Sequence, residues 1–136
     1  MKAQAGIEYM IIFGFSLVLV GVLWVYSNAN VESTRWDLQV AYAESALDSI
    51  TEVSSSAYVQ GPPARFFVYP NFPDNVQQIY ISGSTISMEL LWTPAGIKRN
   101  ITATSIANMT GNISTVKGSH RVLVKSMGTY VDISEP

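Results

Sequence analysis

The sequence contains no cysteine. Disulfides, thiolate nucleophiles and cysteine-ligated metals are therefore excluded together, and stability must come from packing, against partner chains or within the domain. Charge is also scarce. Asp, Glu, Lys and Arg make up 13% of the 136 residues, about half the share usual in a soluble domain. The Lys and Arg residues stand singly apart from Lys98-Arg99, and the net charge is -2. No basic stripe can follow a phosphate backbone, so nucleic acid is not an expected partner. Histidine occurs once, as His120. With no His-x-x-x-His, no nucleophile elbow and no glycine-rich phosphate loop, no catalytic residue, metal ligand or cofactor site is expected. His120 is expected as an ordinary surface residue, and the chain is not read as an enzyme.

What the first third has instead is an uninterrupted apolar run. From Tyr9 to Tyr26, "YMIIFGFSLVLVGVLWVY" carries no charge and no polar stripe. As a helix, its eighteen residues would span roughly 27 Å, close to the hydrocarbon thickness of a bilayer. Tyr9, Trp24 and Tyr26 lie near its two ends, where amphipathic rings favour the interface. A secretory signal would need a basic region ahead of the run and a small-residue cut after it; "YSNANVES" offers the second, with a cut after Ala29, but Lys2 is the sole basic residue upstream. A signal anchor fits the length better. Glu8, at the mouth of the run, needs its own explanation.

Proline and glycine are absent between Val22 and Gln60, and the helical signal continues past Tyr26. Trp36, Val40, Ala43, Leu47, Ile50, Ser54 and Ala57 recur at spacings of four and three, with Glu32, Arg35, Asp37, Glu44, Asp48 and Glu52 mostly on other faces. "GPP" at 61 to 63 then stops the pattern. One helix is expected from about residue 5 to about residue 57, locally loosened around Ser27 to Asn30, apolar all round in its first half and amphipathic in its second. An anchor helix with a rigid stalk is the plainer reading of the same pattern.

Beyond the prolines the period switches to two. "ARFFVYP" reads as a strand between Pro63 and Pro70. "VQQIYISGSTISMELLW" reads as a hairpin turning at Ser82 to Ser84, with Ile79 and Ile81 on one face of its first strand and Ile86, Met88, Leu90 and Trp92 on one face of its second. Glu89 falls opposite that apolar face. "HRVLVKSMGTYVDIS" repeats the device, with Val122, Val124, Val131 and Ile133 inward and Gly128 in the turn. Lys98 to Ser105 supplies a further strand. The expectation is an α+β fold: a long N-terminal helix over 4-60, then a small antiparallel sheet domain over 61-136 of about six strands, sandwich or barrel-like, packed on the amphipathic half of the helix.

Three acceptor sequons, Asn100-Ile-Thr, Asn108-Met-Thr and Asn112-Ile-Ser, fall within fifteen residues. Thr and Ser are plentiful here, so chance could cluster them. Read functionally, they place N-linked glycans at Asn100, Asn108 and Asn112 in a loop-and-edge region exposed outside the cell, where sugars would also guard sheet edges.

"QAGIEYMIIFGF" at 4 to 15 resembles the class III signal sequence of archaeal type IV pilins, and the match is close over the first 26 residues. "IYISGSTI" and "GSHRVLVKSMGTYVDIS" look less specifically like the sheet domains of such pilins. The departures are a leader of only "MKA" (residues 1-3) and Gly6 where Ser is common. The resemblance implies cleavage between Ala3 and Gln4 by a prepilin peptidase, with Glu8 and Tyr9 as the fifth and sixth mature residues. It implies a membrane-held precursor with Lys2 on the cytoplasmic side, and assembly by a pilus machinery into an extracellular filament of many copies, for adhesion. Within such a filament a carboxylate among apolar helices needs a partner, and the amine exposed at Gln4 of an adjacent copy is the natural one. On physics alone, Glu8 could equally sit at its own helix terminus, favoured by the macrodipole. Gly14, Ser16 and Gly21 could permit close helix approach or be incidental. The alternative function is a membrane-anchored binding module, or a minor adhesin pilin, displaying the sheet domain.

Overall fold

The computed structural model describes residues 2-92 and 95-136, with side chains from residue 6 onward. The fold is α+β. Helix α1 (Lys2–Gln60) is followed by strands β1 (Arg65–Val68), β2 (Asn71–Phe72), β3 (Val76–Ser82), β4 (Thr85–Trp92), β5 (Ile97–Thr104), β6 (Met109–Asn112), β7 (Gly118–Ser119), β8 (Val122–Ser126) and β9 (Val131–Ser134). Two compact units result, Met1–Trp36 and Asp37–Pro136. The division falls inside α1, so the amphipathic half of the helix belongs with the strands.

In the first unit, every large apolar side chain from Ile7 to Tyr26 is exposed. The helix is long and apolar enough to cross a membrane, with a mean hydropathy of 2.2 over its most apolar window. Its one serine within that run is satisfied internally, since Ser16 Oγ donates to the Ile12 carbonyl at 2.8 Å, the usual way a serine is accommodated in an apolar helix. The expected loosening at Ser27 to Asn30 does not occur; α1 is unbroken there. The polar side chains that could compete with the helix bond back onto it instead. Asn30 Nδ2 donates to the Tyr26 carbonyl, and Ser33 Oγ and Thr34 Oγ1 donate to the Asn30 carbonyl.

In the second unit, Val40, Ala43, Leu47, Ile50, Ser54 and Ala57 form the buried stripe of α1. Each fully buried Leu or Ile contributes on the order of 1.5–3 kcal/mol relative to an exposed one. Ser54 fits among them because its hydroxyl donates to the Ile50 carbonyl at 2.7 Å. Trp36 is half-buried. The helix ends where expected. Gly61 N–H bonds the Ala57 and Tyr58 carbonyls, and Pro62 and Pro63, joined by a cis peptide, have no N–H to continue the ladder.

The strands form three groups: β3-β4-β5, β1-β8-β9-β6 and the short ribbon β2-β7. The inward faces are those expected from the alternation. Ile86, Met88 and Leu90 of β4, Val122 and Val124 of β8, and Val131 and Ile133 of β9 are fully buried. Ile79 and Ile81 of the edge strand β3 are half-buried, as are Trp92 and Glu89, the latter on the opposite face. The β3-β4 hairpin pairs Ser82 with Thr85, and Gly83, at φ 58°, takes the positive-φ position that two-residue hairpin loops require.

Two expectations are corrected. Nine strands, not about six, occur among the described residues; β2 and β7 have two residues each, too few to show a period, and β6 reads "MTGN", too polar to announce itself. Nor is the domain wholly antiparallel, because β6 pairs with β9 in parallel. The intervening β7 and β8 supply the long crossover that a parallel neighbour needs. Strand β6 also lies beside β3, and Met109 N–H donates to the Gly83 carbonyl at 2.7 Å, tying the two larger sheets together.

Candidate functional site

The residues singled out in the sequence lie in both units and are described separately. In the first unit, the cut expected between Ala3 and Gln4 lies outside the described side chains. Glu8 and Tyr9 follow on α1, both exposed, and Glu8 takes part in none of the ion pairs of the described residues. The first turn of α1 contains no acidic residue. Between Lys2 and Arg35 there is no cation at all; Arg35 is about 40 Å further along the helix axis. Glu8 is thus a carboxylate at the edge of an apolar surface, with no counter-ion among the described side chains of its unit. Gly14 and Gly21 leave notches in that surface, with nothing within 4 Å of where a Cβ would stand.

In the second unit the three sequon asparagines are all exposed. Asn100 lies on β5, the edge strand of its sheet, and Asn112 ends β6, the edge strand of the other, while Asn108 lies on the connection between them. The strand period turns Asn100 and Thr102 outward together, because Ile101 and Ala103 point into the core. Thr110 is likewise exposed and Ser114 half-exposed, so each acceptor has an accessible hydroxyl residue two positions on. The segment carrying Asn108 is anchored by Val131 N–H, which donates to the Asn108 carbonyl at 2.8 Å.

His120 corrects an expectation. It is 8% exposed rather than a surface residue, with its ring 4.9 Å from that of Phe72. Nδ1 meets Glu135 Oε1 at 2.6 Å and Nε2 meets the Val116 carbonyl. Both ring nitrogens thus meet oxygen atoms of other residues. Glu135 Oε2 also accepts from Ser114 N–H at 3.0 Å. The His120 hydrogen bond, then that of Ser114, holds the Glu135 carboxyl below its ordinary pKa. The signal for this burial was present in the sequence: His120 is in phase with Val122 and Val124 of the following strand.

A groove of about 380 Å³ runs between α1 and β5, lined by Glu44, Leu47, Asp48, Arg99 and Asn100 among others. Glu89 on β4 pairs with Lys98 at 2.7 Å, which raises the lysine's pKa through the hydrogen bond and the adjacent charge. Among the described residues no three His, Asp or Glu side chains converge as a metal site would require. No family model, characterised protein or solved structure matches the chain.

Proposed function

We propose that the chain is a structural subunit of an archaeal type IV pilus, held in the membrane as a precursor, cut between Ala3 and Gln4, and polymerised through α1 into an extracellular adhesive filament. The observation that carries this reading is the conjunction of "QAGIEY" with a helix whose apolar residues are exposed on every side from Ile7 to Tyr26 and whose second half is packed into a folded domain. An apolar surface of that kind must be covered by lipid or by other apolar helices. Identical helices bundled together would replace lipid with one another. The exposed sequon asparagines suit a domain that faces outward from such a bundle and carries N-linked glycans.

The test is mass spectrometry of the amino terminus of native protein, together with its recovery in filaments sheared from cells. A chain that begins at Gln4 and is found in filaments supports the proposal. An intact Met1 or a cut after Ala29, with the protein confined to membranes, would favour the anchored binding module instead.

A further inference from the structure

Charge in the second unit is segregated. From Asp37 to Gln60, α1 carries four carboxylates, Asp37, Glu44, Asp48 and Glu52, and no Lys or Arg. All four are exposed. Glu44, Asp48 and Glu52 follow one another at i+4 and Asp37 precedes Glu44 by seven, so they share one face of the helix, where like charges at i+4 repel.

The opposite charge gathers on the outward face of the sheet formed by β1, β8 and β9. Arg65 stands directly across from Lys125, a like-charge cross-strand pair that is unfavourable by itself. Asp132, across from Lys125 on the other side, is the one carboxylate in that row. Arg121 adds a third cation, its guanidinium 4.1 Å from the centroid of Phe67, and Phe67 and Tyr69 are exposed. The ion pairs of the described residues are Lys98 with Glu89, Lys117 with Asp74 and His120 with Glu135. None of the helix carboxylates and none of these three cations takes part in one. Arg99 lines the same groove as Glu44 and Asp48 but lies beyond ion-pair distance of both.

We infer that the sheet face bearing Arg65, Arg121 and Lys125 docks on the acidic face of α1, around Glu44 and Asp48, in a second copy of the chain. The helix face repels itself in the isolated subunit, the sheet face holds three cations to one carboxylate, and each carries what would complement the other. Arginine forks suit carboxylates, and the exposed Phe67 ring supplies an apolar centre of the type that anchors interfaces. The contact is heterologous, sheet to helix, so it leaves a free sheet face at one end and a free helix face at the other, and it propagates. This inference rests on the reading of the chain as a filament subunit, and adds a contact between the outer domains to the bundling of the apolar helices.

Because the chain has no cysteine, single introduced thiols report on contacts without background. Full-length Lys125→Cys and Asp48→Cys chains are co-expressed, filaments and membranes are collected, and both are oxidised. The expected result is a disulfide-linked dimer formed only when both variants are present. The pair Arg65→Glu and Lys125→Glu is expected to lower filament yield about tenfold, with Glu44→Lys and Asp48→Lys doing the same and the combined reversal restoring it. Since all four side chains lie at the surface or half-buried, retained membrane levels of each variant separate lost docking from lost folding. Filaments at wild-type yield with no crosslink overturn the inference while leaving the pilus reading intact. Absence of wild-type filaments overturns that reading, and the crosslink in membranes then decides the docking alone. If the reversal instead abolishes binding to vesicles of anionic phospholipid, with no crosslink between copies, the sheet face belongs to a membrane surface.

Discussion

Nδ1 of His120 lies 2.6 Å from Oε1 of Glu135, joining the start of β8 to the residue that follows β9, while the other oxygen of the same carboxylate holds Ser114. Three segments thus meet on one carboxylate. Its pKa is lowered by folding, chiefly by the His120 hydrogen bond. A carboxyl depressed in the folded state contributes stability above its unfolded pKa and loses it as pH falls through the folded value. Thermal unfolding of the full chain in detergent should therefore show a melting temperature that declines as pH drops through and below the ordinary carboxylate range. Glu135→Gln should melt lower at neutral pH and show a shallower acid decline. Parallel profiles for the two proteins would refute the assignment.

Gly111 faces Ile133 across the parallel β6-β9 pair, and its φ is 138°. A Cβ there would stand 1.8 Å from the Ile133 carbonyl oxygen, a backbone atom that cannot swing aside. Gly111→Ala combines a forbidden contact with a strained dihedral, so a loss of at least about 2 kcal/mol is expected. Denaturant unfolding measures it, and a midpoint within error of wild type would show that β6 can leave β9 without penalty.

A hydroxyl pair ties α1 to the connection after β5. Ser55 Oγ donates to the Thr51 carbonyl at 2.8 Å, so in its 3.0 Å contact with Ser105 Oγ the serine at 105 is the donor. Ser105 Oγ in turn accepts from Ala107 N–H at 3.2 Å, and Ser105 is buried. Ser105→Ala strands that N–H and is expected to cost about 1–3 kcal/mol. Ser55→Ala removes an acceptor for both Ser105 and Ile106 N–H and should cost at least as much in the same unfolding assay.

Periodicity made most of this fold readable. The stripe from Val40 to Ala57 and the alternation in β4, β8 and β9 are burial patterns, and burial is what a run of apolar residues records. What escaped had no such record. Strand β6 is held by backbone pairing beside a glycine, and β2 and β7 are shorter than one period. His120 did carry the period of Val122 and Val124, but its meeting with Glu135 depends on tertiary structure, because a hairpin folds back between them. The candidate assembly residues were legible for a different reason: Glu8 stands out only against the apolar run it borders, and no partner for it exists within the described chain.

The three sequons give a prediction in native material. Asn100, Asn108 and Asn112 are exposed on or between two edge strands, where an attached sugar needs no rearrangement of the core. Peptides spanning 100 to 114 should therefore carry added mass at asparagine. Asn100→Gln should remove one increment and leave the other two. Unmodified asparagines throughout would show that the clustering of Thr and Ser made the sequons by chance.

Glu8→Ala separates insertion from assembly. A carboxylate beside a membrane span opposes insertion, by up to about 2.5–3.5 kcal/mol were it carried to the bilayer centre. Replacing it with alanine should therefore leave the precursor in membranes at least as well as wild type. In a filament the balance reverses, because the carboxylate is proposed to meet the amine exposed at Gln4 of an adjacent copy and thereby set axial register. Filament yield from Glu8→Ala cells should fall to background while membrane levels hold, and Glu8→Gln, which keeps the shape but not the charge, should fail in the same way. Full yield from Glu8→Gln would show that charge is not what the position contributes. Full yield from Glu8→Ala would remove Glu8 from assembly altogether.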